Sequence, residues 1–174
     1  MLFLKEGDIM KHNKIYIIGP VGSGKTYFSR KLSEKYNIER YELDKVAWDD
    51  SIHVKRTDEE AIKLLKEIIN KNSWVVEDIG RDKFMLARDK ADIIYYIKLT
   101  KLKSYFRVTK RWIKQRLGFE VYNDIPNFAQ LKYYYSTVKS YYKKEKHRLE
   151  SLKPYSDKLV FINKRKIKKI LNSK

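Results

Sequence analysis

Eight consecutive residues constrain this chain more than any others. Gly19 to Thr26 (Gly-Pro-Val-Gly-Ser-Gly-Lys-Thr) fits G-x-x-x-x-G-K-[ST], a loop whose backbone amides wrap an anion. The flanks supply the context that the motif needs. Ile15 to Ile18 is an apolar, β-branched run of buried-strand length that ends on Gly19. Beyond Thr26, Phe28 and Leu32 recur at helical spacing, with Tyr36 one turn further. A strand, a glycine loop and a helix in that order predict an α/β domain built around the loop.

The residue types give the loop its expected chemistry. Gly19, Gly22 and Gly24 let the backbone turn inward, with Ser23 between them, so that successive N–H groups face one anion. The helix that follows adds the positive end of its dipole. Lys25 carries a mobile charge to the β- and γ-phosphates, and the Thr26 hydroxyl suits Mg²⁺. The expected ligand is a nucleoside triphosphate, Mg-ATP.

Composition excludes several other classes. With 174 residues the chain suits one domain, and with no cysteine it has neither disulfides nor thiolate metal sites. No apolar run approaches the roughly 18 residues of a membrane span, and residues 1 to 4 are too short for a signal-peptide core, which points to a cytoplasmic protein. The domain is expected to run from 10 to 174. Met10 is the expected native start, and residues 1–9 an extension outside the fold. The formal charge of +18 is uneven: residues 1–97 hold 18 Lys and Arg against 17 Asp and Glu, whereas residues 98–174 hold 22 against 5. Such a basic half predicts polyanionic partners, nucleotide phosphates or nucleic acid.

Further along, Tyr41-Glu42-Leu43 reads as a short strand ending at Asp44. A carboxylate there faces the crevice where open α/β sheets bind ligands, so Asp44 is a candidate for acceptor contact, Mg²⁺ contact or general base; a turn or helix N-cap is the alternative. Trp48 either walls a pocket or covers core. Ser51 to Arg56 reads as a loop, and Thr57-Asp58-Glu59-Glu60 as a capping box opening a helix with Ile62, Leu65, Ile68 and Ile69 inward. Trp74-Val75-Val76 is a buried strand ending in Glu77-Asp78, and either carboxylate suits the Mg²⁺ shell. Gly80-Arg81 reads as a ligand-facing turn, Phe84 to Ala87 as a short helix, and Ala91 to Ile97 as the fourth strand.

Lys101 to Leu117 is a basic helix on which Arg107 and Arg111 stand at i, i+4 and so project from one face. Arginines on a closing lid can offset charge in phosphoryl transfer, and the lid region is expected over 101–127. A helix from about Phe128 to Leu152 has Phe128, Leu131, Tyr135, Val138 and Tyr142 on one face, read as a packing face with stacking of its tyrosines on bases as the alternative. Pro154 ends it. Lys158 to Ile162 is the fifth strand, and Lys164 to Leu171 a last basic helix.

Taken together, the chain resembles the small P-loop kinases of the adenylate/shikimate kinase type, and above all the bacterial DNA topology modulation proteins. The resemblance rests on Ile-Ile-Gly-Pro-Val-Gly-Ser-Gly-Lys-Thr, Leu-Asp-Lys-Val-Ala-Trp, Ser-Trp-Val-Val-Glu, Ala-Asp-Ile-Ile-Tyr-Tyr-Ile and Arg-Val-Thr-Lys-Arg. It implies a three-layer P-loop NTPase fold: a five-stranded parallel sheet in order 2-3-1-4-5, helices on both faces and a basic helical lid. It also implies ATP binding by Gly19 to Thr26, with Arg107 and Arg111 as lid arginines. The chain departs after its third strand, where relatives read something like Asp-Gly-Asn-Tyr and this sequence has Glu77-Asp78-Ile79-Gly80. The expected activity is transfer of the γ-phosphoryl of Mg-ATP to a small acceptor: a nucleoside, nucleotide or metabolite. Lys25, Asp44, Arg107 and Arg111 carry the chemistry, and Thr26 with Glu77 or Asp78 carries the metal. The alternative is a nucleic-acid-binding ATPase that uses the basic half. A GTPase is disfavoured, because Asn163-Lys164-Arg165-Lys166 lacks the aspartate of N-K-x-D.

Overall fold

Every second residue of a strand faces the same side of its sheet, and this chain fills both sides with apolar residues. In the computed structural model, which describes residues 12–49, 54–120 and 127–172, strand β1 (Lys14–Ile18) therefore contributes to two cores at once. Ile15 and Ile17 join Val75, Ile93, Tyr95 and Ile97 beneath Phe28, Leu32, Ile167 and Ile170. Tyr16 and Ile18 join Trp74, Val76, Ile94 and Tyr96 beneath Ala61, Leu65, Ala87 and Leu152. Two cores on opposite faces of one sheet make three layers.

The sheet strands are β1, β2 (Arg40–Glu42), β5 (Trp74–Asp78), β6 (Ile93–Ile97) and β7 (Leu159–Ile162), all parallel, in spatial order β2-β5-β1-β6-β7. Numbered within the sheet alone this is 2-3-1-4-5, the order that the resemblance implies. Helices α1 (Lys25–Tyr36) and α8 (Lys164–Asn172) cover one face; α3 (Asp58–Ile69), α4 (Met85–Lys90) and the end of α7 (Glu145–Ser151) cover the other. Ile18 pairs with Asp78 and with Tyr96, so the carboxyl ends of β1, β5 and β6 meet where the glycine loop begins. The capping box forms as read: Thr57 accepts from the Glu60 amide while Glu60 accepts from that of Thr57.

Three readings need correction. β2 stops at Glu42 and α2 (Leu43–Ala47) starts at once, so Asp44 sits in a helical first turn rather than at a strand end. The expected loop 51–56 is partly paired: β3 (Trp48–Asp49) and β4 (Val54–Lys55) form an antiparallel ribbon, Arg56 is tied to Asp49 at 2.8 Å, and Trp48 at 44% exposure covers no core. The helix expected from 128 to 152 breaks at Lys144 into α6 (Phe128–Lys143) and α7. Its inward tyrosine is Tyr141 rather than Tyr142, because the Tyr141 hydroxyl donates to that of Tyr96, whereas Phe128 stays 65% exposed. The expected Met10 start and extension 1–9, residues 51–53 of the loop and residues 121–126 of the lid region lie outside the described residues.

Candidate active site

The loop between β1 and α1 is shaped by what its glycines avoid. A Cβ on Gly19 would stand 2.8 Å from Ser23 Oγ and 3.1 Å from Ile97 Cβ. Gly22 and Gly24 hold φ of +77° and +94°, the left-handed region that other residues rarely adopt. Gly24 is also the N-cap of α1, so the first turn has no side-chain cap and no acidic residue. Its amides are left for an anion. Ser23 is buried and its Oγ has no hydrogen-bond partner. Lys25 donates only a 3.2 Å bond, to the Pro20 carbonyl. Enclosure lowers its pKa, and Glu77, Asp44 and Asp78 pull the other way. Uncapped first-turn amides, an orphaned hydroxyl and a barely engaged ammonium fit a polyphosphate, although the Ser23 amide itself donates to the Pro20 carbonyl at 3.1 Å.

Strand alternation separates the two carboxylates at the end of β5. Glu77 has the parity of Val75 and faces α1, where it accepts from Thr26 Oγ1 at 3.2 Å and from Ser29 Oγ at 3.2 Å. Arg40 on β2 donates to Glu77 at 2.9 Å and to Glu42 at 2.7 Å. The register pairs Glu42 with Glu77, so two carboxylates lie side by side and need the cation between them. Burial raises the Glu77 pKa, with Lys25 the main opposing influence. Asp78 faces the other side and is consumed by the following turn: it accepts from the Gly80 amide at 2.7 Å, the Arg81 amide at 2.6 Å and Arg81 Nε at 2.8 Å. The Arg81 guanidinium then reaches Asp44 at 2.9 Å. Lys25, Thr26, Glu77, Asp78, Asp44 and Arg81 thus form one cluster, with the Asp44 side chain 72% exposed beside it.

The predicted arginine pair divides. On α5 (Lys101–Arg116), Arg107 donates to the carbonyls of Gly22 at 2.9 Å and Ser23 at 3.3 Å. Ser104, one turn earlier, donates to that of Val21. Arg111 instead pairs with Glu120 at 3.4 Å, away from the loop. Beside the loop lies a groove of about 1120 Å³, lined by Ser23, Gly24, Tyr27, Lys103, Arg107 and Asn163 among others. Sequence reading missed Arg40, Ser29 and Ser104. The strand parity of Glu77 with Val75 is the signal that leads to the first two.

No family model matches the chain. Its sequence is 31% identical over 116 residues to the shikimate kinase of Blochmanniella floridana, covering 58% of this chain and 61% of that one, so the chain spans about three-fifths of the curated relative's length. Among solved structures, the shikimate kinase of Acinetobacter baumannii in complex with shikimate covers 96% of this chain and 95% of its own, at 16% identity and a TM-score of 0.57. The gluconokinase of Sinorhizobium meliloti 1021 covers 92% and 88% at 15% identity, with a TM-score of 0.54. The shikimate kinase of Bacteroides thetaiotaomicron covers 92% and 94% at 13% identity, with a TM-score of 0.55. This chain has the fold of those kinases, a parallel five-stranded sheet between helical layers with a phosphate-type loop after its first strand.

Proposed function

We propose that the chain is a P-loop kinase that moves the γ-phosphoryl group of ATP to a hydroxyl of a small metabolite. One observation carries the reading: Lys25, Thr26 and Glu77 stand on one side of a cluster whose other side, Asp44 held by Arg81, is open to solvent. A donor loop facing an exposed carboxylate is the arrangement that phosphoryl transfer to a hydroxyl requires. The loop amides and Lys25 bind the β- and γ-phosphates and stabilise charge as it develops. Asp44 accepts the acceptor's hydroxyl proton while the hydroxyl oxygen bonds to the γ-phosphorus. The bond to the β–γ bridging oxygen breaks, and ADP leaves.

Among the described residues no group of three His, Cys, Asp or Glu side chains is placed to hold a metal ion by itself. Mg²⁺ bound with a nucleotide needs only one or two protein groups, so the Thr26 hydroxyl and Glu77 would hold it, and it would neutralise the phosphate oxygens. Asp78 is then a turn former and Glu77 the metal-side carboxylate. Arg107 braces the loop from its carbonyl side, and the adjacent groove takes the nucleoside.

The test is an ATP-consumption screen over nucleosides, nucleotides and hydroxylated metabolites, with shikimate and gluconate included because of the relatives' names. The expected result is acceptor-dependent turnover that Lys25→Ala abolishes at unchanged thermal stability; turnover that survives Lys25→Ala overturns the reading. A second reading, nucleic-acid binding, is favoured only by the 22 basic against 5 acidic residues in 98–174. It predicts a steep loss of affinity for a duplex between about 50 and 200 mM salt, and a flat response removes it.

A further inference from the structure

A second cavity, of about 400 Å³, adjoins the cluster on the far side of Arg81. The turn from Ile79 to Lys83 forms one wall; the other comes from Ser136, Thr137, Ser140 and Tyr141 on α6 with Lys144, His147 and Arg148 beyond. Four of its lining residues are cationic, and two of those are already matched. Arg81 pairs with Asp78 and Asp44, and Lys83 pairs with Asp58 at 2.7 Å. Arg148 and Lys144 form no ion pair with a carboxylate among the described residues. The only carboxylate among the described lining residues, Asp82, lies 3.7 Å from His147 and 3.6 Å from Arg88.

Arg148 is the telling residue. It is 6% exposed, stacked 3.7 Å above the Tyr141 ring, and donates through Nη1 to the Tyr141 carbonyl, while its Nε has no acceptor. A guanidinium buried this far without a counter-ion destabilises the fold unless a ligand supplies one. The hydroxyls further along the same wall are set to accept. Ser136 and Thr137 give their protons to the Tyr133 carbonyl at 2.8 and 3.0 Å, which leaves their lone pairs for a ligand's hydroxyls.

We infer that this cavity binds a phosphomonoester dianion, and that the acceptor of the proposed kinase is a small hydroxylated phosphomonoester. The second clause rests on the kinase reading; the first does not. Arg148, buried without a counter-ion, and the exposed Lys144 beside it offer two positive charges to the same cavity, which suits a dianion better than a single carboxylate. The volume leaves room beside a phosphate for a body the size of a sugar. Arg81 is the shared wall: its guanidinium touches Asp44, so an acceptor lying across it presents its acidic group to Arg148 and Lys144 and its hydroxyl to Asp44.

The experiment uses the full ¹⁵N-labelled chain saturated with a non-hydrolysable ATP analogue, so that the glycine loop is occupied. Inorganic phosphate is titrated in, then acetate, following the amides of Gly80, Ser140 and Lys144 and the Nε–Hε signal of Arg148. Expected are saturable shifts at these groups with a millimolar or tighter Kd for phosphate, and binding about tenfold weaker for acetate. Lys144→Ala, an exposed change that spares the fold, is expected to weaken phosphate about tenfold. No shift at these groups, an equal response to acetate, or an unchanged Lys144→Ala overturns the site. The kinetic arm separates the two readings. Phosphate binding without acceptor-dependent ATP consumption leaves the site and removes the kinase. Turnover of an uncharged acceptor with the same KM in Lys144→Ala leaves the kinase and removes the site.

Discussion

Gly80→Ala is the substitution whose cost the structure specifies most closely. Gly80 holds φ of +88°, and a Cβ there would meet Arg148 Cδ at 2.7 Å, Arg148 Nε at 3.0 Å and Ile18 Cγ2 at 3.1 Å. The arginine cannot swing aside, since its guanidinium is stacked on Tyr141 and bonded to that residue's carbonyl. Ile18 belongs to the core and is fully buried. The left-handed backbone alone costs alanine about 1–2 kcal/mol, and forcing a methyl into a packed site adds about 1–3 kcal/mol. Gly118 separates the two effects: its φ is +72°, but a Cβ there meets nothing within 4 Å. Gly118→Ala therefore reads the backbone cost, and the excess in Gly80→Ala reads the clash. Urea unfolding at constant m-value should give Gly80→Ala an excess loss of about 1–3 kcal/mol. At this chain length each kcal/mol lowers Tm by about 2–4 °C. Equal losses for the two variants would refute the packing of Arg148 against the turn, and with it the wall of the second cavity.

Three further outcomes follow from the geometry. Thr57→Ala removes the capping box of α3 and should cost about 1 kcal/mol by urea unfolding, with ATP affinity unchanged. Glu77→Gln should gain stability relative to the native chain as pH rises. Burial lifts the folded pKa of Glu77 above its ordinary 4.5, so the native chain loses stability on ionising it, and urea midpoints at pH 4 and pH 7.5 should differ in that sense. Arg107→Ala should raise the KM for ATP about tenfold whereas Arg111→Ala leaves it within about twofold, since only the former touches the glycine loop; equal effects in steady-state kinetics would show that the helix moves to bring both arginines in.

Much of this arrangement is legible in the sequence because it is periodic. The spacing of Ile15 to Ile18, Phe28 and Leu32 is enough to draw the strand, loop and helix, and the parallel sheet follows from repeated βα units. Legibility fails where two choices differ by one residue. Glu77 and Asp78 are chemically interchangeable, and only the side on which α1 packs decides that Glu77 meets Thr26. Tyr141 and Tyr142 compete in the same way in a helix rich in tyrosine. The inward one is set by hydroxyl partners, Tyr96 for the former and the Leu99 carbonyl for the latter. The i, i+4 rule correctly gives Arg107 and Arg111 one face, yet four residues along a helix is about 6 Å, more than the width of the loop contact.

What distinguishes function from packing in this fold is where the uncompensated groups lie. Among the described residues, buried side-chain atoms without partners occur at Ser23, Trp74, Arg88, Tyr95, Gln115 and Arg148, and an orphaned polar atom alone decides little. Trp74 and Tyr95 line neither cavity; their polar atoms are a cost accepted for the volume of the ring in the core. Ser23 and Arg148 each line one: Ser23 the groove beside the glycine loop, Arg148 the cavity beyond Arg81. Between those two groups run the lowered Lys25, the raised Glu77 and the left-handed glycines 22, 24 and 80. Of these costs, the ones at Ser23, Lys25, Glu77, Gly80 and Arg148 lie along the carboxyl edge of one sheet. A phosphate at one end and a second anionic group at the other would satisfy the orphaned Ser23 and Arg148 together, which is why donor and acceptor sites are read as halves of a single cleft that Arg81 divides.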